Sequence, residues 1–371
     1  MAEPVVLFET RAARGGRQVA FATLNAERAL NALSLEMVDR LSAQLASWRD
    51  DPDVACIVLE GAGERAFCAG GDVVALYRGM VRDDAEAHAA IERFFTHEYT
   101  LDYRIHTYPK PILCWGHGIV MGGGLGLMIG CSHRLVTEGS RVAMPEISIG
   151  LYPDVGASWF LPRLPGRTGL YLGLTGTHMN AGDALFAGIA DGFVPSAEKP
   201  ALYRALLDIE WRESPRENRR LLSRLLRGYR SRHAPPESPL RAHFDVVNDV
   251  TDYDTAEEIL EALEARAPGD PWLERGLENL KRGSPTSAKL IFEAYHRARH
   301  LSLKEVFAFE LGLTLQITRH PDLREGIRAR LIDKDNRPRW SPPTLAEVSE
   351  AYVEEHFASP WPPDQHPFRN W

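Results

Sequence analysis

The 371-residue chain contains no run of about twenty apolar residues, so nothing in it reads as a membrane-spanning helix. Its first residues, MAEPVVLFETRAARGG, lack the basic stretch and long apolar core of a secretory leader and lead straight into a strand-like segment. Cysteine is scarce. Cys56, Cys68, Cys114 and Cys131 lie in apolar or glycine-rich surroundings without CxxC spacing, the pattern of buried reduced thiols and not of a disulfide frame or zinc site. None of the 13 histidines forms an HExxH pair, and no metal site is expected. Positive charge is not in excess either: a formal net charge of -8 argues against a nucleic-acid binder. What remains is an ordinary globular composition, long enough for one large domain or two unequal ones.

The most informative stretch runs from Gly116 to Gly166. A short apolar run, Pro111–Trp115, reads as a buried strand, and Gly122, Gly123 and Gly124 then introduce an apolar segment able to open a helix. Strand, glycine loop and helix start leave backbone N–H groups free to face an anion. The glycines fit neither a dinucleotide fingerprint, whose third glycine would fall on Leu127 or Ile129, nor a nucleotide-triphosphate loop, since Leu125 follows Gly124. A plain turn stays open as a reading. Downstream, Glu146 and Asp154 stand among Pro145, Gly150, Pro153 and Gly156, stiff punctuation that suggests a built site. Singly, each acid could equally be a turn residue.

Taken in order, residues 4–10 and 17–24 alternate like two strands around Gly15-Gly16, and Ser34 caps a helix that ends near Asp51-Pro52. Residues 54–60 form a buried strand, followed by a loop in which Gly70-Gly71 precede a capping Asp72. This repeats the pattern at 111–129, and each loop can supply one N–H to a shared anion. Residues 84–107 read as a helix containing Glu98-Tyr99. The Arg-dense segment 213–233, with Leu221, Leu222, Leu225 and Leu226 on one side, is better explained as a solvated amphipathic helix than as a phosphate contact. From 255 onward the pattern is helical. The expected fold class is α/β, a layered spiral of repeated strand–strand–helix units with a C-terminal helical region. The expected division is a core over 1–200 and a mainly helical part over 201–371, with the boundary between 195 and 250.

FCAGGD (67–72), GIVMGGGLGL (118–127) and MPEISIGLYPDVG (144–156) together resemble the crotonase (enoyl-CoA hydratase/isomerase) superfamily. HEYTLDYRI (97–105), SPTSAKL (284–290), LSLKEVF (301–307) and REGIRARLIDKD (324–335) extend the likeness over nearly the whole chain, toward the branch of 3-hydroxyisobutyryl-CoA hydrolases. The resemblance implies the crotonase-type ββα spiral and an oxyanion hole made by the N–H groups of Gly71 and Gly123. It implies Glu146 and Asp154 as catalytic acids, with Glu98, Gly123, Glu146 and Asp154 touching substrate. A hydratase carries a second acid two residues after the glycine triplet, where this chain has Gly126. Ala157, Ser158 and Trp159 replace the small residues expected after Pro-Asp-Val-Gly, and their bulk can reshape the acyl pocket.

The implied reaction is hydrolysis of 3-hydroxyisobutyryl-CoA to 3-hydroxyisobutyrate and CoA, a step of valine catabolism. Two preorganised N–H donors suit it because the attacked thioester carbonyl becomes an oxyanion, each donor being worth ~3–4 kcal/mol. Glu146 either activates water or attacks the carbonyl itself, and Asp154 orients the 3-hydroxyl or water and helps the thiolate leave. The same hole would hold an enolate, so an isomerase or hydratase activity is the enzyme rival, and a non-catalytic acyl-CoA-binding protein the rival of another class. No cofactor is expected beyond the CoA of the substrate. The expected partner is an acyl-CoA small molecule, with no nucleic acid and no membrane, and homo-oligomer formation is left open. The expected location is the cytoplasm, or the mitochondrial matrix for a processed eukaryotic protein.

Overall fold

The computed structural model describes residues 3–230, 232–362, 364–369 and 371. Nine strands occur among them: β1 (Val6–Ala12), β2 (Gln18–Leu24), β3 (Val54–Gly61), β4 (Ala66–Cys68), β5 (Ile112–Gly116), β6 (Ile119–Met121), β7 (His133–Val136), β8 (Arg141–Ala143) and β9 (Gly192–Phe193). They form a six-stranded sheet in the order β1-β2-β3-β5-β7-β9 and a three-stranded sheet in the order β4-β6-β8. The β1–β2 pair is an antiparallel hairpin, turned at Gly15 and Gly16 with φ of 85° and 93°, and from β2 to β9 the large sheet is parallel. In the successive pairs β3/β4, β5/β6 and β7/β8, the first strand joins the large sheet and the second the small one. This is the spiral of ββα units expected from the sequence.

The chain forms two compact units, each assembled from separate stretches: 1–71, 100–142 and 179–241, and 72–99, 143–178 and 242–371. Among the described residues the elements after β9 are helices, whereas the compact units alternate along the chain.

The first unit holds the sheets. Its strands β2, β3 and β5 are apolar on both faces, as parallel strands covered on both sides must be. Val19, Phe21, Val58, Leu113 and Trp115 pack against Leu202 and Leu206 of the helix Lys199–Leu207 and Leu222, Leu226 and Tyr229 of the helix Pro215–Arg230. The Arg-dense segment is therefore an amphipathic helix. Its buried stripe is Asn218, Leu222, Leu226 and Tyr229, at helical spacing, while Leu221 and Leu225 are only half-buried. Ser34 caps the helix Leu35–Asp50 by accepting from the Met37 N–H at 3.2 Å, and that helix buries Met37, Val38, Leu41, Leu45 and Trp48. All four cysteines are buried and unbridged.

The second unit is helical. Asp72 caps the helix Val73–Arg82 as expected, accepting from the Ala75 N–H at 3.1 Å. Thr255, Asp270, Ser284 and Ser302 cap the helices Ala256–Arg266, Pro271–Arg282, Pro285–Arg297 and Leu303–Thr318, the last through a reciprocal capping box with Glu305. The helix Leu303–Thr318 buries Val306, Phe307, Glu310, Leu311 and Thr314, so an acid and a hydroxyl sit on an otherwise apolar stripe. Among the described residues no helix is long and apolar enough to cross a membrane.

Candidate active site

In the first unit the two glycine loops lie against each other. A Cβ at Gly124 would sit 2.3 Å from the Cys68 carbonyl oxygen, and one at Gly70 would be 3.4 Å from the Met121 oxygen and 3.8 Å from the Gly123 nitrogen. Gly70 has φ of 112° and Gly122 φ of 50°, so the turns leading to both expected donors use backbone that side chains resist. Bonds from Leu33 N–H to the Gly70 carbonyl (2.8 Å) and from Ala69 N–H to the Leu30 carbonyl (3.1 Å) fix the first loop. Gly71 closes a parallel bridge with Leu33. Gly123 is the first residue of the helix Gly123–Gly130, where an N–H has no acceptor within the helix.

In the second unit the three expected acids are all buried: Glu98 is 2 %, Glu146 6 % and Asp154 5 % exposed. Glu98 lies on the helix Ala85–His106. Glu146 opens a single 3₁₀ turn, Glu146–Ile149, closed by Gly150 with φ of 79°. A Cβ there would strike the Asp322 carbonyl at 2.3 Å, so that turn accepts only glycine. Asp154 precedes two left-handed residues, Val155 with φ of 51° and Gly156 with φ of 87°. A β-branched residue in that region is strained by ~1–3 kcal/mol, which surrounding structure must offset.

A fourth acid supplies the offset. Glu310 is fully buried, and its carboxylate accepts from Gly156 N–H at 2.7 Å and Ser158 N–H at 2.8 Å. Asp154 Oδ2 accepts from the Tyr99 hydroxyl at 2.7 Å, and Tyr99 bonds the Thr314 hydroxyl at 2.8 Å. Thr314 also bonds Tyr152 at 3.0 Å, and Tyr152 donates to the Glu310 carbonyl at 3.1 Å. Tyr99 donates to Asp154 and Tyr152 to the Glu310 carbonyl, so the single Thr314 proton serves one of the two tyrosine oxygens. Glu146 Oε2 and Glu98 Oε1 are different: each is buried with no hydrogen-bond partner.

Among the described residues none of these four acids has an ion-pair partner, and their titration reflects it. Burial first, then the Asp154 charge, raises Glu98 and Glu146 well above the ordinary glutamate value, with Glu98 adding to the effect on Glu146. Burial lifts Asp154 to about 6, against the lowering pull of the Tyr99 bond. Burial also lifts Glu310 to about 8, opposed by its two backbone donors. Like acids gathered out of water without a cation are costly to the fold, and such clusters concentrate at working sites.

Tyr99, Tyr152, Thr314 and Glu310 were not expected from the sequence. Glu310 had one signal, an acid inside the apolar run VFAFELGL. In the bulky replacement after Gly156, Ala157 and Ser158 are buried, while Trp159 is half-buried with the Arg163 guanidinium 4.5 Å over its ring.

Comparison with known proteins adds to this geometry. The sequence profile of the family described as Enoyl-CoA hydratase/isomerase matches residues 19–357. The chain is 40% identical over 340 residues to the 3-hydroxyisobutyryl-CoA hydrolase, mitochondrial, of Gallus gallus, covering 90% of this chain and 85% of the relative. It is 38% identical over 345 residues to the protein of the same name from Homo sapiens, covering 91% and 85%. A crystal structure described as a carnitinyl-CoA dehydratase from Mycobacterium thermoresistibile matches over 100% of both chains with a TM-score of 0.86 at 36% identity.

Proposed function

Because the chain belongs to the enoyl-CoA hydratase/isomerase family, we propose that it hydrolyses 3-hydroxyisobutyryl-CoA, releasing 3-hydroxyisobutyrate and free CoA. The observation that carries the reading is the pair of buried, unpartnered carboxylate oxygens on Glu146 and Glu98 beside a partnered Asp154. A buried acceptor without a donor is unfavourable until a ligand supplies one. A substrate hydroxyl and an attacking water are such donors.

In the proposed reaction the N–H groups of Gly71 and Gly123 hold the thioester oxygen as negative charge develops on it. Glu146 takes a proton from water while the water oxygen bonds to the carbonyl carbon, or its own oxygen makes that bond and forms an anhydride that water then cleaves. On either route the C–S bond breaks and the departing thiolate becomes thiol by taking the proton that water gives up, in the attack itself on the first route and at cleavage of the anhydride on the second. Asp154, as carboxylate, orients the water or the 3-hydroxyl and relays that proton to the thiolate. Glu98 accepts from the acyl 3-hydroxyl. Residue 126 is a buried glycine inside the helix Gly123–Gly130, so the position that bears a hydratase's second acid offers none here. That weighs against hydration or dehydration of an enoyl substrate.

Free-thiol release from 3-hydroxyisobutyryl-CoA, 3-hydroxypropionyl-CoA and crotonyl-CoA, run side by side, tests the proposal. Fast release from the first two with an unchanged enoyl chromophore in the third is expected. Loss of that chromophore without thiol release would establish a hydratase instead. The two Glu146 routes separate in a single turnover in heavy-oxygen water, which labels Glu146 only if the anhydride forms.

A further inference from the structure

Within the second unit, the segment bearing Glu146 also forms the wall of a cavity of about 400 Å³, within the size range of small-molecule sites. Pro145, Ile147 and Ser148 line one side. The helix Pro271–Arg282 lines another with Trp272, Arg275, Asn279 and Arg282, spaced so that they share one helix face. Leu273, Gly276 and Leu280 of the same helix pack inward. Arg330, on a single π-helical turn Arg328–Ile332, and Asn336, with φ of 53°, complete the lining.

Three guanidinium groups from two elements thus border one cavity, and none of the chain's 51 acids lies on its lining. Solvated surface arginine accounts for Arg282, which pairs with Glu278 at 2.8 Å and sits at a helix C-terminus where a cation is favourable. It accounts less well for the others. Arg330 donates to the neutral Asn336 side chain at 2.9 Å, and Arg275 has no acidic partner among the described residues. In a chain of net charge -8, a cavity lined this way selects for anions. Trp272 already stacks on Tyr171 and His243, with ring centroids 5.1 and 4.5 Å away, so the site offers charge recognition and not base stacking.

We propose that this cavity binds a phosphate-bearing small molecule, held chiefly by Arg275 and Arg330, and that its occupancy alters turnover through the Pro145–Ser148 wall. The binding part stands on the cavity alone; the effect on turnover rests on the hydrolase reading of Glu146. Calorimetric titration with inorganic pyrophosphate at low ionic strength tests the first part on wild type, the double variant Arg275→Ala/Arg330→Ala, and Lys281→Ala. Lys281 lies on the same helix, pairs with Glu264 and does not line the cavity. Saturable one-to-one binding, weakened by about tenfold or more in the double variant and unchanged in Lys281→Ala, is expected from the loss of two charge-assisted contacts. Arg275→Lys, which keeps the charge, should lose less than Arg275→Ala. Absent saturable binding in wild type, or equal losses in Lys281→Ala, overturns the site.

For the second part, pyrophosphate should change kcat for thioester hydrolysis in wild type and leave the double variant unaffected. An effect on KM alone would assign the anion to the substrate's own site and overturn the proposal. If no thioester is hydrolysed, the calorimetric arm still decides whether the cavity binds phosphate, so failure of the hydrolase reading and failure of the site are distinguishable.

Discussion

Glu146 and Glu310 are both buried glutamates of the second unit, and both bind protons more tightly than ordinary glutamates because they have been taken out of water. Their surroundings separate them. Glu310 spends its carboxylate on two backbone N–H groups that hold the strained turn after Asp154, whereas Glu146 keeps one oxygen without any partner. Burial and a raised pKa therefore do not by themselves mark the acid that does the chemistry. Hydrogen-bond satisfaction separates the two: Glu310 holds a loop, whereas one Glu146 oxygen is open to a ligand.

The sharpest break in this comparison is Glu146→Gln. It should lower thiol release by about 10²–10⁴-fold while scanning calorimetry finds the fold as stable as wild type or more so, since Gln relieves the fold of an acid that burial forces to hold its proton. Near wild-type turnover would remove Glu146 from the mechanism. Asp154→Asn should cost about 10²-fold and erase an inflection in kcat near pH 6, set by the Asp154 value of about 6. Wild-type kcat should rise with pH through that point, because the working form is the carboxylate.

Stability should move the opposite way. The native state holds the Asp154 proton to about 6, against an ordinary aspartate value of 3.8, so wild-type stability falls as pH rises through that window and stays lower above it. Asp154→Asn lacks that fall and should be more stable at pH 8, by up to roughly 3 kcal/mol.

Glu310→Gln turns a donor toward one of the two N–H groups and should destabilise by about 1–3 kcal/mol, measured by urea unfolding, with a smaller loss of turnover than at Glu146. Equal effects of the two Gln substitutions on both readouts would dissolve the distinction. The mildest change is Tyr99→Phe. Its hydroxyl bond lowers the Asp154 pKa, so removal should shift the kcat inflection upward, followed in the pH profile of the variant.

Local signals explain what the sequence made readable. Ser34 and Asp72 cap the helices they were expected to cap because capping depends on residues three positions away. The ββα order was legible because strand, glycine loop and helix start recur at 54–73 and 111–129. Glu98, Glu146 and Asp154 came from motifs, and the structure places them as buried acids of one unit. Their partners were out of reach. Tyr99 meets Thr314 across 215 residues, and Glu310 meets Gly156 across 154, with no local spacing to announce either bond. The arginines that drew attention in sequence, at 213–233, belong to an amphipathic helix. Those that border a cavity, Arg275 and Arg330, lie far apart in the chain without a motif.

The Glu310 clamp also bears on synthesis. A ribosome extends the chain from its N-terminus, so the turn after Asp154 emerges with the Gly156 and Ser158 amides still lacking their carboxylate. Val155 can be held in its unfavourable conformation only after the helix Leu303–Thr318 has been made and docked. Assembly of that turn is thereby delayed until most of the polypeptide exists, and a nascent chain interrupted before residue 310 would carry the turn without its clamp.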